Sequence, residues 1–272
     1  MEKLQAALEK ARSRREAGEQ AKGKTLGTQT ATAPRRSKKS TLWADLPEIE
    51  LSGEALHNHN VVTRQASQKA TPFDILRTKI LLQMRQNGWK SLAITSPMPK
   101  SGKTTMACNL ALGLGRQGEL HTILFDLDLQ DPSVGDFLGH RVETNITEML
   151  SGAVPFADQA VRVGESVAVS MANRRESDPT RVLLAEQTRE TLEAVQSSYD
   201  PDIMIYDTPS ILVGDNTRAF LKNVDCALIV ARANSTKYGH FDACEREIAE
   251  YTNVLGVVLN AFRTKDIQSY LD

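Results

Sequence analysis

The stretch TSPMPKSGKTT, residues 95–105, decides how this chain is read. It leaves the apolar run SLAIT and enters KTTMACNLALGLGRQG, a run of helix-forming composition. Gly102-Lys103-Thr104 fits the second half of G-x-x-x-x-G-K-[ST], a loop whose backbone N–H groups cradle phosphate. The first glycine of that pattern is absent, and Pro97 stands in its place. Half a pattern is also what a chance Gly-Lys-Thr at a helix start would show, so the neighbouring segments must decide.

The strand–loop–helix context is the one a phosphate cradle needs. N–H groups at a helix start point at the anion, and the helix dipole favours negative charge there. The reading assigns Lys100, Ser101, Gly102, Lys103, Thr104 and Thr105 to nucleotide binding. Lys103 would reach the β- and γ-phosphates, and the Thr104 hydroxyl would ligate Mg²⁺. Gly102 permits close backbone approach, while Pro97 and Pro99 stiffen the entry.

Outward from the loop the pattern alternates. A helix is predicted from Thr71 as N-cap, with Pro72 at its first position and Gly88 as its stop. Phe73, Leu76, Ile80 and Met84 share one face of it. Strands are predicted at 91–96, 122–128, 167–171, 202–207, 226–232 and 254–260. Helices are predicted at 103–117, 143–151, 180–198, 215–223 and 237–252. The fold class is therefore α/β, a mostly parallel sheet flanked by helices, with ligands expected at the carboxyl ends of the strands.

Those ends carry acids. Asp126 and Asp128 stand two apart in TILFDLD, so period-two geometry places both on one face of a strand end. Asp207 closes the apolar run DIMIYD. Adjacent carboxylates repel and lose solvation, and a cation between them relieves both costs. For any one of these acids, a buried aspartate capping a turn is the simpler account. Three acids and a Lys-Thr pair at strand ends of one sheet point instead to a nucleotide–Mg²⁺ site. No N-K-x-D sequence that would read guanine is present, so the expected base is adenine, with the Asn260 amide offered to its edge.

Composition frames the rest. The chain has 272 residues, 40% hydrophobic, with a net charge of −1. That balance gives no global reason to expect nucleic acid. Residues 1–40 hold eleven Lys/Arg against four Asp/Glu, a net of +7. They read as a basic helix, over 3–18, and a flexible linker, suited to an anionic membrane face or an acidic partner, or else simply solvated. Residues 41–70 read as an irregular lead-in, and 71–272 as the folded domain. His57 and His59 in LHNHN have no third ligand nearby and are expected on a surface loop. Cys108, Cys226 and Cys244 have no paired spacing and read as buried thiols in a reducing cytoplasm. No apolar run is long enough to span a membrane, and MEKLQAALEKARSRR is too charged for a signal-peptide core.

With these residues assembled, the chain resembles the P-loop tyrosine autokinases of bacterial capsule and exopolysaccharide systems. Four elements over about residues 70–265 carry the resemblance: ITSPMPKSGKTT, ILFDLDLQDPS, IMIYDTPSILVGDN and the helix FDILRTKI. The resemblance implies a cytoplasmic enzyme transferring phosphate from Mg-ATP to tyrosine, peripheral to the inner face of the plasma membrane. Lys103 and Thr104 would bind phosphate and metal. Asp126 would orient metal-bound water or accept the tyrosine proton, and Asp128 and Asp207 would hold the metal shell. It also implies activation by the cytoplasmic tail of a membrane polysaccharide co-polymerase, and ring-shaped homo-oligomers. The related partitioning and positioning ATPases carry a signature lysine at the place of Met98, which argues against that branch.

The chain departs from the family pattern in four places. Lys100-Ser101 replaces Gly-Glu, and Leu129-Gln130 replaces Leu-Arg. In the helix motif that builds rings, Arg77 remains but Pro72 and Asp74 occupy the other two places. The tail, tyrosine-rich in the family, offers Tyr270 as its candidate phosphoacceptor. A kinase-inactive, ATP-dependent switch of the polysaccharide machinery is therefore the rival expectation, and a partitioning ATPase the third.

Overall fold

The computed structural model describes residues 41–262. The basic arm with its predicted helix, and Tyr270, lie outside the described residues. β1 (Ser91–Thr95), β2 (Thr122–Asp126) and β5 (Ile203–Asp207) are buried along their whole length. Their continuous apolar runs suit strands covered on both faces. With β3 (Val161–Val163), β4 (Val167–Ser170), β6 (Cys226–Arg232) and β7 (Asn253–Asn260) they form one sheet in the order β3-β4-β2-β5-β1-β6-β7. All neighbours are parallel except β3, which runs antiparallel to β4. Side chains alternate across the sheet. Leu92 and Ile94 enter one core with Met84 and Leu110, while Ala93 enters the other with Phe125, Tyr206 and Phe220.

Helices flank both faces. In chain order they are α1 (Gly53–Asn58), α2 (Thr71–Asn87), α3 (Lys103–Gly115), α4 (Val134–Leu138), α5 (Ile146–Leu150), α6 (Phe156–Gln159), α7 (Pro179–Leu184), α8 (Glu186–Tyr199), α9 (Asn216–Leu221) and α10 (Tyr238–Ala249). Helix α2 begins one residue earlier than expected. Ala70 is its N-cap, and the Thr71 hydroxyl donates to Ser67 O at 3.3 Å rather than capping. Gly88, at φ 72°, closes it as predicted. The helix predicted over 180–198 is two, because Ala185 is extended at ψ 134° and the Asp178 carboxylate caps α7. No described helix is long and apolar enough to cross a membrane.

The lead-in differs most from its reading. Trp43 is buried between sheet and helix, its indole N–H donating to Tyr199 O at 3.0 Å. Leu51, Leu56 and Val61 fill the opposite core. Residues 47–49 join the sheet edge: Arg162 N donates to Pro47 O and Ile49 N to Arg162 O. His57 lies in α1 rather than on a loop, and His59 stacks on Phe137 with ring centroids 4.0 Å apart. Asn109, fully buried on α3, accepts from Val62 N and Thr63 N and donates to Asn60 O and Thr105 O. The bonds to Asn60, Val62 and Thr63 tie the lead-in to the helix that follows the phosphate loop, and the one to Thr105 stays within that helix.

Arg77 also works inside the chain. Its Nη1 donates to Asp74 and to Gly113 O, both at 2.9 Å, and Arg116 Nη2 grips Asp74 at 2.9 Å. Asp74, a departure from the family motif, is thus the anchor that holds α2 against α3.

If the lead-in is integral to the core, Trp43→Ala should cost about 3–5 kcal/mol, the range for truncating a buried large aromatic. Urea unfolding would measure it, and a midpoint unchanged from wild type would mean that residues 41–70 add no stability.

Candidate functional site

The loop between β1 and α3 takes its curve from two left-handed residues, Lys100 at φ 61° and Gly102 at φ 94°. A turn at these positions removes the need for glycine at Pro97. The Ser96 and Ser101 hydroxyls both donate to Met98 O at 2.8 Å, closing the loop on itself. Lys103, at the first position of α3, is buried to 9% exposure. Its Nζ donates to Ser210 Oγ at 3.3 Å, and Ser210 meets the Ser96 hydroxyl at 2.9 Å. This serine pair holds the ammonium in place. Ser210 lies three residues beyond the end of β5 in DTPS, a position sequence reasoning passed over.

Strand register brings the acids together. Asp126 and Asp207 stand opposite one another at the ends of β2 and β5. Both are fully buried. Asp207 Oδ2 accepts from the Thr104 hydroxyl at 2.6 Å. Asp126 Oδ2 accepts from Ser133 N at 3.2 Å and Val134 N at 3.1 Å. The second oxygen of each carboxylate, Oδ1, has no hydrogen-bond partner. Two buried, unpartnered carboxylate oxygens are costly, and a divalent cation is the chemistry that satisfies them. Among the described residues no group of three His, Cys, Asp or Glu could hold a metal unaided. Mg²⁺ takes one or two protein oxygens and completes its shell with water and phosphate. Thr104 and Asp207 could supply such oxygens.

Asp128 departs from its expected place. β2 ends at Asp126, so Asp128 lies in the following turn and the two acids do not share a strand face. It accepts from Asp131 N at 3.3 Å and lines a cavity of about 350 Å³ together with Lys100, Gly102, Lys103, Thr104 and Thr105. Ser210, Gln130, Asn216 and Phe137 lie on the same wall. Asp126, Asp207, Ser101 and Asn260 are not part of the lining; Asp207 lies behind it, reached through the Thr104 hydroxyl. Asn260 instead donates from Nδ2 to Ser101 O at 2.8 Å and accepts from Ala261 N, so its amide faces the loop rather than a base edge.

Burial dominates the electrostatics. It raises the Asp126 carboxyl well above its ordinary range, with the charge of Asp207 adding to it. It pushes Asp207 up to about 7, against the pull of Lys103 and the Thr104 hydroxyl. Asp128 is raised by burial too, partly offset by Lys103. The Cys108 thiol behind the pair is driven well up by burial and then by Asp207 and Asp126.

Of the tyrosines, Tyr199 and Tyr206 are buried and Tyr251 packs against the core. Tyr238 is 82% exposed at the start of α10.

Residues 92–272 match the CbiA family, the CobQ/CobB/MinD/ParA nucleotide binding domain, and the chain belongs to that family. Within it, the chain is similar to bacterial tyrosine-protein kinases. It is 26% identical over 200 residues to the tyrosine-protein kinase CpsD of Streptococcus agalactiae serotype III, covering 72% of this chain and 84% of that protein. It is 24% identical over 212 residues to the tyrosine-protein kinase YwqD of Bacillus subtilis, covering 77% and 88%. It is 26% identical over 197 residues to the putative tyrosine-protein kinase AmsA of Erwinia amylovora, covering 72% of this chain but 27% of that longer protein. Among solved structures, the chimerical protein CapA2B2 superposes with a TM-score of 0.69 at 19% identity, over 85% of this chain and all of that one. The kinase domain of the Escherichia coli tyrosine kinase ETK gives 0.66 at 21%, over 87% of each. These superpositions show a shared fold.

The raised Asp207 carboxyl has a consequence for stability. Its proton is held near pH 7 in the folded chain but lost near pH 4 in the unfolded chain. This group's contribution therefore falls as pH rises from about 4 through about 7. Asp207→Asn should raise the melting temperature of nucleotide-free protein most at pH 8, with the gain shrinking toward pH 4, while abolishing Mg²⁺-dependent nucleotide binding. A melting difference that is flat with pH would show that the carboxyl is charged throughout.

Proposed function

We propose that this protein is an ATP-dependent protein-tyrosine kinase of capsule or exopolysaccharide synthesis. One observation carries the reading: Lys103, Thr104 and Asp128 converge on one cavity, with the unpartnered oxygens of Asp126 and Asp207 buried behind Thr104. The similarity to CpsD and YwqD supplies the reaction class.

In this reading the α3 N-terminus and Lys103 bind the β- and γ-phosphates, and Lys103 neutralises charge as transfer proceeds. Thr104 and Asp207 would hold Mg²⁺, whose positive charge would offset that of the phosphates. The tyrosine oxygen bonds to the γ-phosphorus as the bond from that phosphorus to the β–γ bridging oxygen breaks, releasing ADP. Asp128 takes the phenolic proton; it lines the cavity, and burial makes it a better base than an exposed aspartate. Asp126 keeps to a positioning role, braced by Ser133 N and Val134 N. The acceptors offered are Tyr270 and the exposed Tyr238, each modified on a second copy of the chain. Residues 41–70 act as part of the catalytic unit, and the basic arm serves contact with the membrane or a co-polymerase tail.

Among the described residues Tyr238 is the one widely exposed tyrosine, and this favours one other reading, an ATP-dependent switch that phosphorylates nothing. Intact-mass spectrometry after incubation with Mg-ATP, with a co-polymerase tail peptide present, separates the two. Wild type should gain phosphate, and Lys103→Met should lose the activity by about 100-fold or more, as for removal of a preorganised charged donor. Tyr238→Phe and Tyr270→Phe should each reduce the phosphate count. ATP bound with no phosphate in any sample would sink the kinase reading and leave the switch.

A further inference from the structure

The phosphate loop lacks the first glycine of its pattern, yet two of its residues sit in left-handed backbone. Lys100 is there at φ 61° without being glycine, a conformation an L side chain rarely adopts. Such a shape persists only where the surroundings over-determine it. The structure shows what does so. Arg232, the last residue of β6, donates from Nη1 to Lys100 O at 3.1 Å. Asn260, the last residue of β7, donates from Nδ2 to Ser101 O at 2.8 Å. The two strand ends are themselves joined, Ala233 N donating to Asn260 O at 2.9 Å. Contact is close enough that a Cβ on Gly102 would lie 2.1 Å from Asn260 Nδ2. Gly102 is therefore required twice over, by its φ of 94° and by the amide pressed against it.

We infer that Arg232 and Asn260 form a clamp on two successive carbonyls of the phosphate loop. The clamp turns the loop's N–H groups toward the phosphates and replaces the conformational role of the missing glycine. Both are positioning residues: they act through the loop backbone, and neither lines the cavity. The inference rests on the nucleotide-site reading above and assigns Asn260 a task other than reading a base.

The two tasks separate by ligand. A base-reading Asn260 matters for ATP and not for inorganic triphosphate. A clamping Asn260 matters equally for both. Calorimetric dissociation constants with Mg²⁺ present should be measured for ATP, GTP and triphosphate on wild type, Asn260→Ala, Asn260→Asp and Arg232→Met. Asn260→Ala should weaken ATP and triphosphate alike by about tenfold, the worth of one lost hydrogen bond at the upper end of its range. The ATP-to-GTP ratio should be unchanged. Asn260→Asp keeps the volume but sets an acceptor against Ser101 O, so it should be at least as impaired as alanine. Arg232→Met should also weaken triphosphate, and its effect should be non-additive with Asn260→Ala because both hold one loop.

Loss confined to ATP would overturn the clamp in favour of base recognition. Full rescue by Asn260→Asp, or variants matching wild type for triphosphate, would overturn it as well. A melting temperature lowered in step with the affinity loss would reduce the effect to general instability and likewise overturn it. Absence of triphosphate and ATP binding by wild type would fell the nucleotide-site reading itself, a different outcome from any of these.

Discussion

Two carboxylates buried side by side set the terms for this protein. Asp126 and Asp207 occupy paired positions at the ends of adjacent parallel strands, each with an oxygen that no group among the described residues satisfies. A fold organised for stability alone would place apolar or neutral groups there. The cost is tolerable because part of the charge is removed by proton uptake, and because the Thr104 hydroxyl and two backbone N–H groups compensate the other oxygens. The same arrangement that weakens the protein alone would favour a cation at this place. Stability and function pull in opposite directions at this pair, as they commonly do at sites built for charge.

The rest of the sheet serves to bring distant segments to that point. β1 sits between β5 and β6, so the loop after β1 has the DTPS turn on one side and the Arg232 strand end on the other. Ser210 steadies the Lys103 ammonium from the first side; Arg232 and Asn260 hold Lys100 and Ser101 from the second. The loop is thus shaped from outside as well as by the left-handed Gly102. This explains how a sequence with Pro97, Lys100 and Ser101 in place of the usual residues keeps the curvature that phosphate binding demands.

On the back of the loop helix, Asn109 and the Asp74–Arg77–Arg116 cluster fasten the lead-in and α2 to α3. Helix α3 begins at the phosphate lysine, so its position is defined from both ends. Arg77, expected from the resemblance to belong to a ring-building motif, is directed here to Asp74 and the Gly113 carbonyl, with its side chain 11% exposed. Assembly of this chain into rings would have to use other residues or release Arg77 from this network.

Much of this was written locally in the sequence. The run CALIVAR is a strand over the seven residues predicted, because a continuous apolar stretch has only one extended way to be buried on both faces. Gly102-Lys103-Thr104 announced the helix start, and the apolar runs ending in Asp126 and Asp207 announced acidic strand ends, since these signals depend on neighbours along the chain. The register that sets Asp126 against Asp207 was not legible, nor the end of the strand at Asp126, two residues short of Asp128. The burial of Trp43 and the turn of Asn260 toward Ser101 were decided by contacts spanning 156 and 159 residues. Periodicity reports which side of an element is apolar, but not which element lies beside it. Sequence alone determined a phosphate loop on a parallel sheet with acids at its edge. Only the tertiary structure decided which oxygens are left unpaired and which strand ends grip the loop, because both follow from the order of strands in space.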